Sequence, residues 1–98
     1  MTVIVLERAP AQVRGKLNLY MTELKAGVFL GKLSSRTREM LWDMVLHNIE
    51  DGNGFLVWST NKEAGYDVRT VGNTKWKFVD HDGLWLIQKP GRIPKDPL

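Results

Sequence analysis

The chain has 98 residues, 43% of them apolar and 26% charged, with fourteen Lys and Arg against eleven Asp and Glu for a formal net charge of +3. A length of this order holds one domain around a modest core. The absence of cysteine excludes a disulfide scaffold, a thiolate zinc site and a cysteine nucleophile, and a count of two histidines argues against an imidazole metal cluster.

The Thr2 to Leu6 segment is β-branched and apolar at consecutive positions, which predicts a central strand covered on both faces. The longest apolar run, Val3 to Leu6, is far shorter than the roughly 20 residues of a membrane span. Glu7 and Arg8 interrupt it before it can form the apolar stretch of a secretory signal, and a cytoplasmic location is expected. Pro10 suits the first turn of a helix, and Val13, Leu17, Tyr20, Met21 and Leu24 then share one helical face, which predicts a helix closed by Ala26-Gly27. Gly27 to Leu33 is predicted as a strand kinked or bulged at Gly31. Ser34 or Ser35 caps a second helix with an apolar face of Met40, Leu41, Met44, Val45 and Ile49, stopping at Asp51-Gly52.

Phe55 to Thr60 follows as an apolar strand, Asn61 to Gly65 as a hairpin loop, and Tyr66 to Val71 as an alternating strand with Asp67 and Arg69 on one side. Leu84 to Gln88 is a last short strand. Pro90, Pro94 and Pro97 make residues 89–98 an extended tail beyond a domain of residues 1–88. The chain shows no internal repeat or low-complexity tract.

This order of elements predicts an α+β, ferredoxin-like domain with two helices on one face of an antiparallel sheet. Two helices cover one face only, so a second copy is expected on the other, as a homodimer about a two-fold axis.

Charge is segregated along the chain. Residues 1–38 carry seven bases and two acids, residues 39–67 one base and six acids, and residues 68–98 six bases and three acids. Basic first and last thirds suit an anionic partner or a solvated basic face. Arg14 and Lys16 flank the buried stripe of the first helix, with Gly15 between them removing a side chain either for the approach of a DNA backbone or for packing. Arg36 and Arg38 stand in the first turn of the second helix, where cations are unfavourable unless an anion binds the free N–H groups; the alternative is two solvated arginines paired with Glu39 or Asp43. The Gly72 to Phe78 segment interleaves Lys75 and Lys77 with Trp76 and Phe78, a composition that grips phosphate and stacks bases, or else places its aromatics in a dimer core. Trp42, Trp58 and Trp85 fall on predicted core faces.

Glu7 ends the central strand at the rim of the sheet, where it is either a metal ligand, completed by its two-fold mate or by Asp67, Asp80 or Asp82, or a carboxylate paired with Arg8 or Arg14. His47 and His81 have no serine or carboxylate at motif spacing, so no nucleophilic triad is legible. The Gly54 to Ser59 strand lacks the signature of an RNA-recognition module, because Phe55 and Trp58 are three apart and point to opposite faces.

Glu7-Arg-Ala-Pro10, Val13-Arg-Gly-Lys-Leu17, Ala26-Gly-Val-Phe-Leu-Gly31, Arg38-Glu-Met-Leu-Trp42, Trp58-Ser-Thr-Asn61, the Gly65 turn and Val79-Asp-His-Asp-Gly83 occur in that order. Together they resemble CRISPR-associated protein 2 of subtype I-E, the small subunit of the spacer-acquisition complex, over roughly residues 1–88. The resemblance implies a ferredoxin-like homodimer that bridges two dimers of the larger integrase subunit and holds double-stranded protospacer DNA. It carries the DNA contacts to Arg14, Lys16 and Lys75; Gln12 and Trp76 stand where relatives carry further bases. It also implies that the C-terminal region docks on the integrase subunit. Many members are described as metal-dependent endonucleases using a carboxylate where Glu7 stands, which makes a Mg2+-dependent nuclease the alternative function. For subtype I-E the resemblance implies that this carboxylate is dispensable, that the scaffold role requires no cofactor, and that strand transfer belongs to the larger subunit.

Overall fold

The computed structural model describes residues 1–73, 77–81 and 84–88, with side chains through residue 73. The elements are β1 (Thr2–Glu7), α1 (Ala11–Leu17), β2 (Thr22–Lys25), β3 (Val28–Gly31), α2 (Ser35–Asn48), β4 (Asn53–Ser59), β5 (Tyr66–Val71), β6 (Lys77–His81) and β7 (Leu84–Gln88). Strands β1 to β5 form an antiparallel sheet in the order β2-β3-β1-β4-β5, and β6 pairs with β7 in a separate ribbon. The architecture is α+β and ferredoxin-like.

Strand β1 takes the middle of the sheet because its apolar residues run without interruption. Ile4 lies opposite Phe29 of β3 and Leu56 of β4, and all three are fully buried. Onto this row the helices lay Val13 and Leu17 of α1 and Leu41, Trp42 and Val45 of α2. The closest approach in the sheet is at Gly54, where an added Cβ would stand 2.0 Å from the Val5 carbonyl oxygen. On the opposite face Val3 and Val5 meet Leu30, Val57, Val28 and Phe55 in register, and every one of these is only half-buried. The double-sided burial expected of β1 is therefore complete on the helix side alone within the described residues.

Four sequence expectations need correction. The first helix ends at Leu17 rather than near Leu24, because the bonds tighten there: the Leu19 N–H donates to Lys16 and the Tyr20 N–H to Leu17, i→i+3 contacts that close a helix. The chain then forms β2, an edge strand, with Leu24 61% exposed. The bulge sits in β2 between Glu23 and Lys25 rather than at Gly31, and β3 stops at Gly31. On α2, Ser34 is the cap and accepts from the Thr37 N–H; Met40 is 44% exposed instead of core, while Trp42 is buried as expected. The sequence pattern places no separate strand between Tyr66–Val71 and Leu84–Gln88, where β6 runs from Lys77 to His81.

These differences are testable by urea denaturation. Phe29→Ala should cost about 3 to 5 kcal/mol by opening a cavity in the central row. Leu24→Ala, which a longer first helix would make a core truncation, should stay within about 0.5 kcal/mol of wild type.

Candidate nucleic-acid interface

The ends of the sheet carry different chemistry. At the end where β1 finishes, Glu7 and Arg8 lead into Pro10 and α1, and the β2-β3 turn at Ala26-Gly27 packs alongside. Arg8 holds a left-handed backbone with φ 56°, an uncommon conformation for a side chain with a Cβ. Leu6, Glu7, Arg8, Ala9, Arg14, Ala26 and Gly27 line an open cleft of about 300 Å3. Lys16 is exposed on α1, and a Cβ added at Gly15 would meet no atom within 4 Å. The helix surface between the two bases is bare, so no neighbour within the described chain explains Gly15.

Arg14 is held in place. Its Nη2 donates to Glu23 Oε2 at 2.8 Å and its Nε donates to the same oxygen at 3.3 Å. Glu23 also accepts from the Gly27 N–H at 2.9 Å and from Asn18 Nδ2 at 3.1 Å. One carboxylate thus ties together α1, the segment after it and the β2-β3 turn. The hydrogen bond from the Gly27 backbone, helped by Asn18 and Arg14, holds the Glu23 carboxyl below the usual range. Gly27 has φ +83°, and a Cβ there would lie 2.2 Å from the Leu6 carbonyl oxygen, so only glycine presents this N–H.

At the other end α2 begins. Arg36 is exposed and makes no hydrogen bond or ion pair among the described residues. Arg38 is not a free cation: its guanidinium lies 4.3 Å from the Trp58 ring centroid and its Nε donates to Glu39 at 3.2 Å. Arg69 of β5 approaches the same ring at 5.2 Å and donates to the other Glu39 oxygen. Trp58, expected in the core, is half-buried at its edge under two guanidiniums, a cation–π arrangement. The Arg69 hydrogen bond is the largest influence lowering the Glu39 carboxyl. β1 separates the two ends by about 17 Å at ~3.3 Å per residue, so the structure does not bring Arg14 and Lys16 together with Arg36 and Arg38.

Glu7 is exposed and lies opposite Asn53 in register. Asp67, offered as its metal-binding companion, stands beside Trp58 at the far end of the sheet and pairs with Lys62. Among the described residues no three His, Cys, Asp or Glu side chains gather as a metal-binding group. A divalent ion wants six or more oxygen ligands, and Glu7 alone of one described chain does not fit that demand. Arg14 is bonded to Glu23, so the expected Glu7–Arg14 pair is absent too. The side chains of Lys75, Trp76, Lys77, Asp80, His81, Asp82 and Trp85, and the tail 89–98, lie outside the described residues.

Sequence reasoning missed Glu23, Arg8 and Arg69. Glu23 reaches Arg14 only because residues 22–25 are a strand, and reading them as helix concealed the pair. The left-handed backbone at Arg8 has no sequence signal, since the residue is neither Gly nor Asn.

Comparison with known proteins gives one family. A family model described as CRISPR-associated protein (Cas_Cas2CT1978) matches residues 1–86.

The lowered carboxyls of Glu23, Glu39 and Asp67 fix the sign of an acid response. A carboxyl with a folded pKa below its unfolded one contributes stability above the unfolded value, and that contribution is lost as pH falls through the folded pKa. The urea midpoint should therefore hold level down to about pH 5 and decline below the ordinary carboxylate range of about 4. Glu39→Gln should shallow that decline relative to wild type.

Proposed function

Since the chain belongs to the CRISPR-associated, Cas2-type family, we propose that it is a DNA-holding scaffold of the subtype I-E spacer-acquisition complex. In this reading it works as a homodimer that bridges two dimers of the larger integrase subunit and grips protospacer duplex between them. The observation that carries the reading is the set of exposed bases at the rim where β1 ends, Arg8 and Arg14 lining one cleft and Lys16 on the other side of the bare Gly15 position. A phosphate backbone can approach such a surface closely, and its contacts position the duplex without reading sequence.

The half-buried Val3, Val5, Phe55 and Val57 face supports the homodimer, because an apolar sheet face of this kind suits burial against a second copy. Lys75 and Lys77 extend the proposed DNA surface, with Arg36 a separate candidate at the opposite end of the sheet. Arg38 is a weaker contributor, since its guanidinium is already engaged by Trp58 and Glu39. The C-terminal region docks on the integrase subunit. The scaffold needs no cofactor. A metal-dependent endonuclease using Glu7 and Mg2+ is the competing reading, and it requires ligands beyond the described side chains of one chain.

Two measurements test this proposal. Duplex affinity should fall with salt at a log–log slope of about −0.9 for each phosphate neutralised. Arg14→Ala/Lys16→Ala should weaken unrelated duplex sequences equally and flatten that slope by about 0.9 per lost contact. Affinity insensitive to salt would contradict the scaffold. Val5→Lys should turn a dimer into a monomer in sedimentation equilibrium, and an unchanged mass would remove this face from the interface.

A further inference from the structure

We propose that Glu23 is a positioning residue for DNA binding, fixing the Arg14 guanidinium in the orientation that meets phosphate. The inference rests on the scaffold reading and adds to it a residue of opposite charge to the ligand. On charge alone Glu23 should oppose DNA, since it neutralises a base on the binding surface. Its hydrogen bonds point the other way.

Both Nε and Nη2 of Arg14 donate to one oxygen of Glu23, which uses one edge of the guanidinium. Among the described residues Nη1 has no partner, so the opposite edge of a planar five-donor group stays available to an anion. The clamp itself is anchored twice more. Asn18 Nδ2 holds Oε1 and the Gly27 N–H holds Oε2. The Glu23 side chain is 17% exposed and that of Arg14 44%, so the acid is sheltered and the base presented. Gly27 is in turn locked to β1, where the Leu6 N–H donates to its carbonyl at 2.8 Å. The orientation of Arg14 is thus set by the sheet through Glu23 rather than by α1 alone, a helix of seven residues without a side-chain cap.

A free arginine must lose its rotamer freedom when it grips phosphate, at a cost equivalent to about tenfold in affinity. Here that ordering is complete before DNA arrives, as preorganisation requires. Simple charge removal and loss of orientation therefore predict opposite signs for Glu23→Gln, which keeps one neutral acceptor oxygen for Gly27 but loses the charge-assisted grip on the guanidinium.

The experiment measures duplex affinity across salt for wild type, Glu23→Gln, Arg14→Ala and the double variant, using duplex of arbitrary sequence. The proposal expects Glu23→Gln to bind about threefold or more weakly, and to have no further effect once Arg14 is alanine. Glu23→Gln binding equally or more tightly, while Arg14→Ala is weakened, overturns the proposal and leaves the scaffold reading standing. Arg14→Ala equal to wild type overturns both. A measurement without substitution at Glu23 guards against misfolding: the Arg14 Nε–H should exchange with water more slowly than that of exposed Arg8 in wild-type protein by NMR. Equal exchange rates would show that no clamp exists, and would overturn the proposal whatever Glu23→Gln does.

Discussion

The pairing of β1 on both sides is the constraint from which the other features follow. All six of its residues pair with β4 and Thr2 to Val5 also with β3, and a strand in that position places alternate side chains on opposite faces. Thr2, Ile4 and Leu6 go under the helices. Val3 and Val5 go to the other face, half-buried, with valines and Phe55 beside them. The same register ends the strand at Glu7, so the chain leaves the sheet at its rim and delivers Arg8 and α1 there. Slipping the register by one residue would exchange the two faces and bury the wrong set.

The charged surface inherits its geometry from that framework. Arg14 is useful to a polyanion only if its guanidinium is presented in a defined direction. Gly27, locked to Leu6 of β1, supplies the N–H that steadies Glu23, and Glu23 steadies Arg14. At the opposite end the same kind of residue is used differently: Arg38 and Arg69 clamp Trp58 and share Glu39, joining α2 to the β4-β5 edge. Arginine content alone does not distinguish these roles, but partner geometry does. The first arrangement leaves part of its guanidinium open, and the second places two guanidiniums against one ring.

Much of this was legible in the sequence where the signal is local. The consecutive β-branched residues of β1, the Ser34 cap and the Asn61 to Gly65 turn each act over a few neighbouring positions, and each is found where expected. What failed depends on distant pairing. Leu17, Met21 and Leu24 fall at helical spacing, yet residues 22–25 are held as an edge strand by bonds to β3, and Leu24 faces solvent. Reading that segment as helix hid the Glu23–Arg14 pair, the central contact of the candidate site. Trp58 has the right periodicity for the core face, but it lies at the rim, where arginines from α2 and β5 cover it. Charge segregation along the chain suits an anionic partner or a solvated basic face; only the fold separates Arg14 and Lys16 from Arg36 and Arg38.

In the proposed function this chain holds DNA while the strand-transfer chemistry belongs to the larger integrase subunit. The most direct test of that division is spacer integration reconstituted with the larger integrase subunit, comparing wild type, Glu7→Ala and Arg14→Ala/Lys16→Ala. Full integration with Glu7→Ala and loss with the double variant are expected. Loss with Glu7→Ala alone would contradict the proposal and make the rim carboxylate part of the reaction.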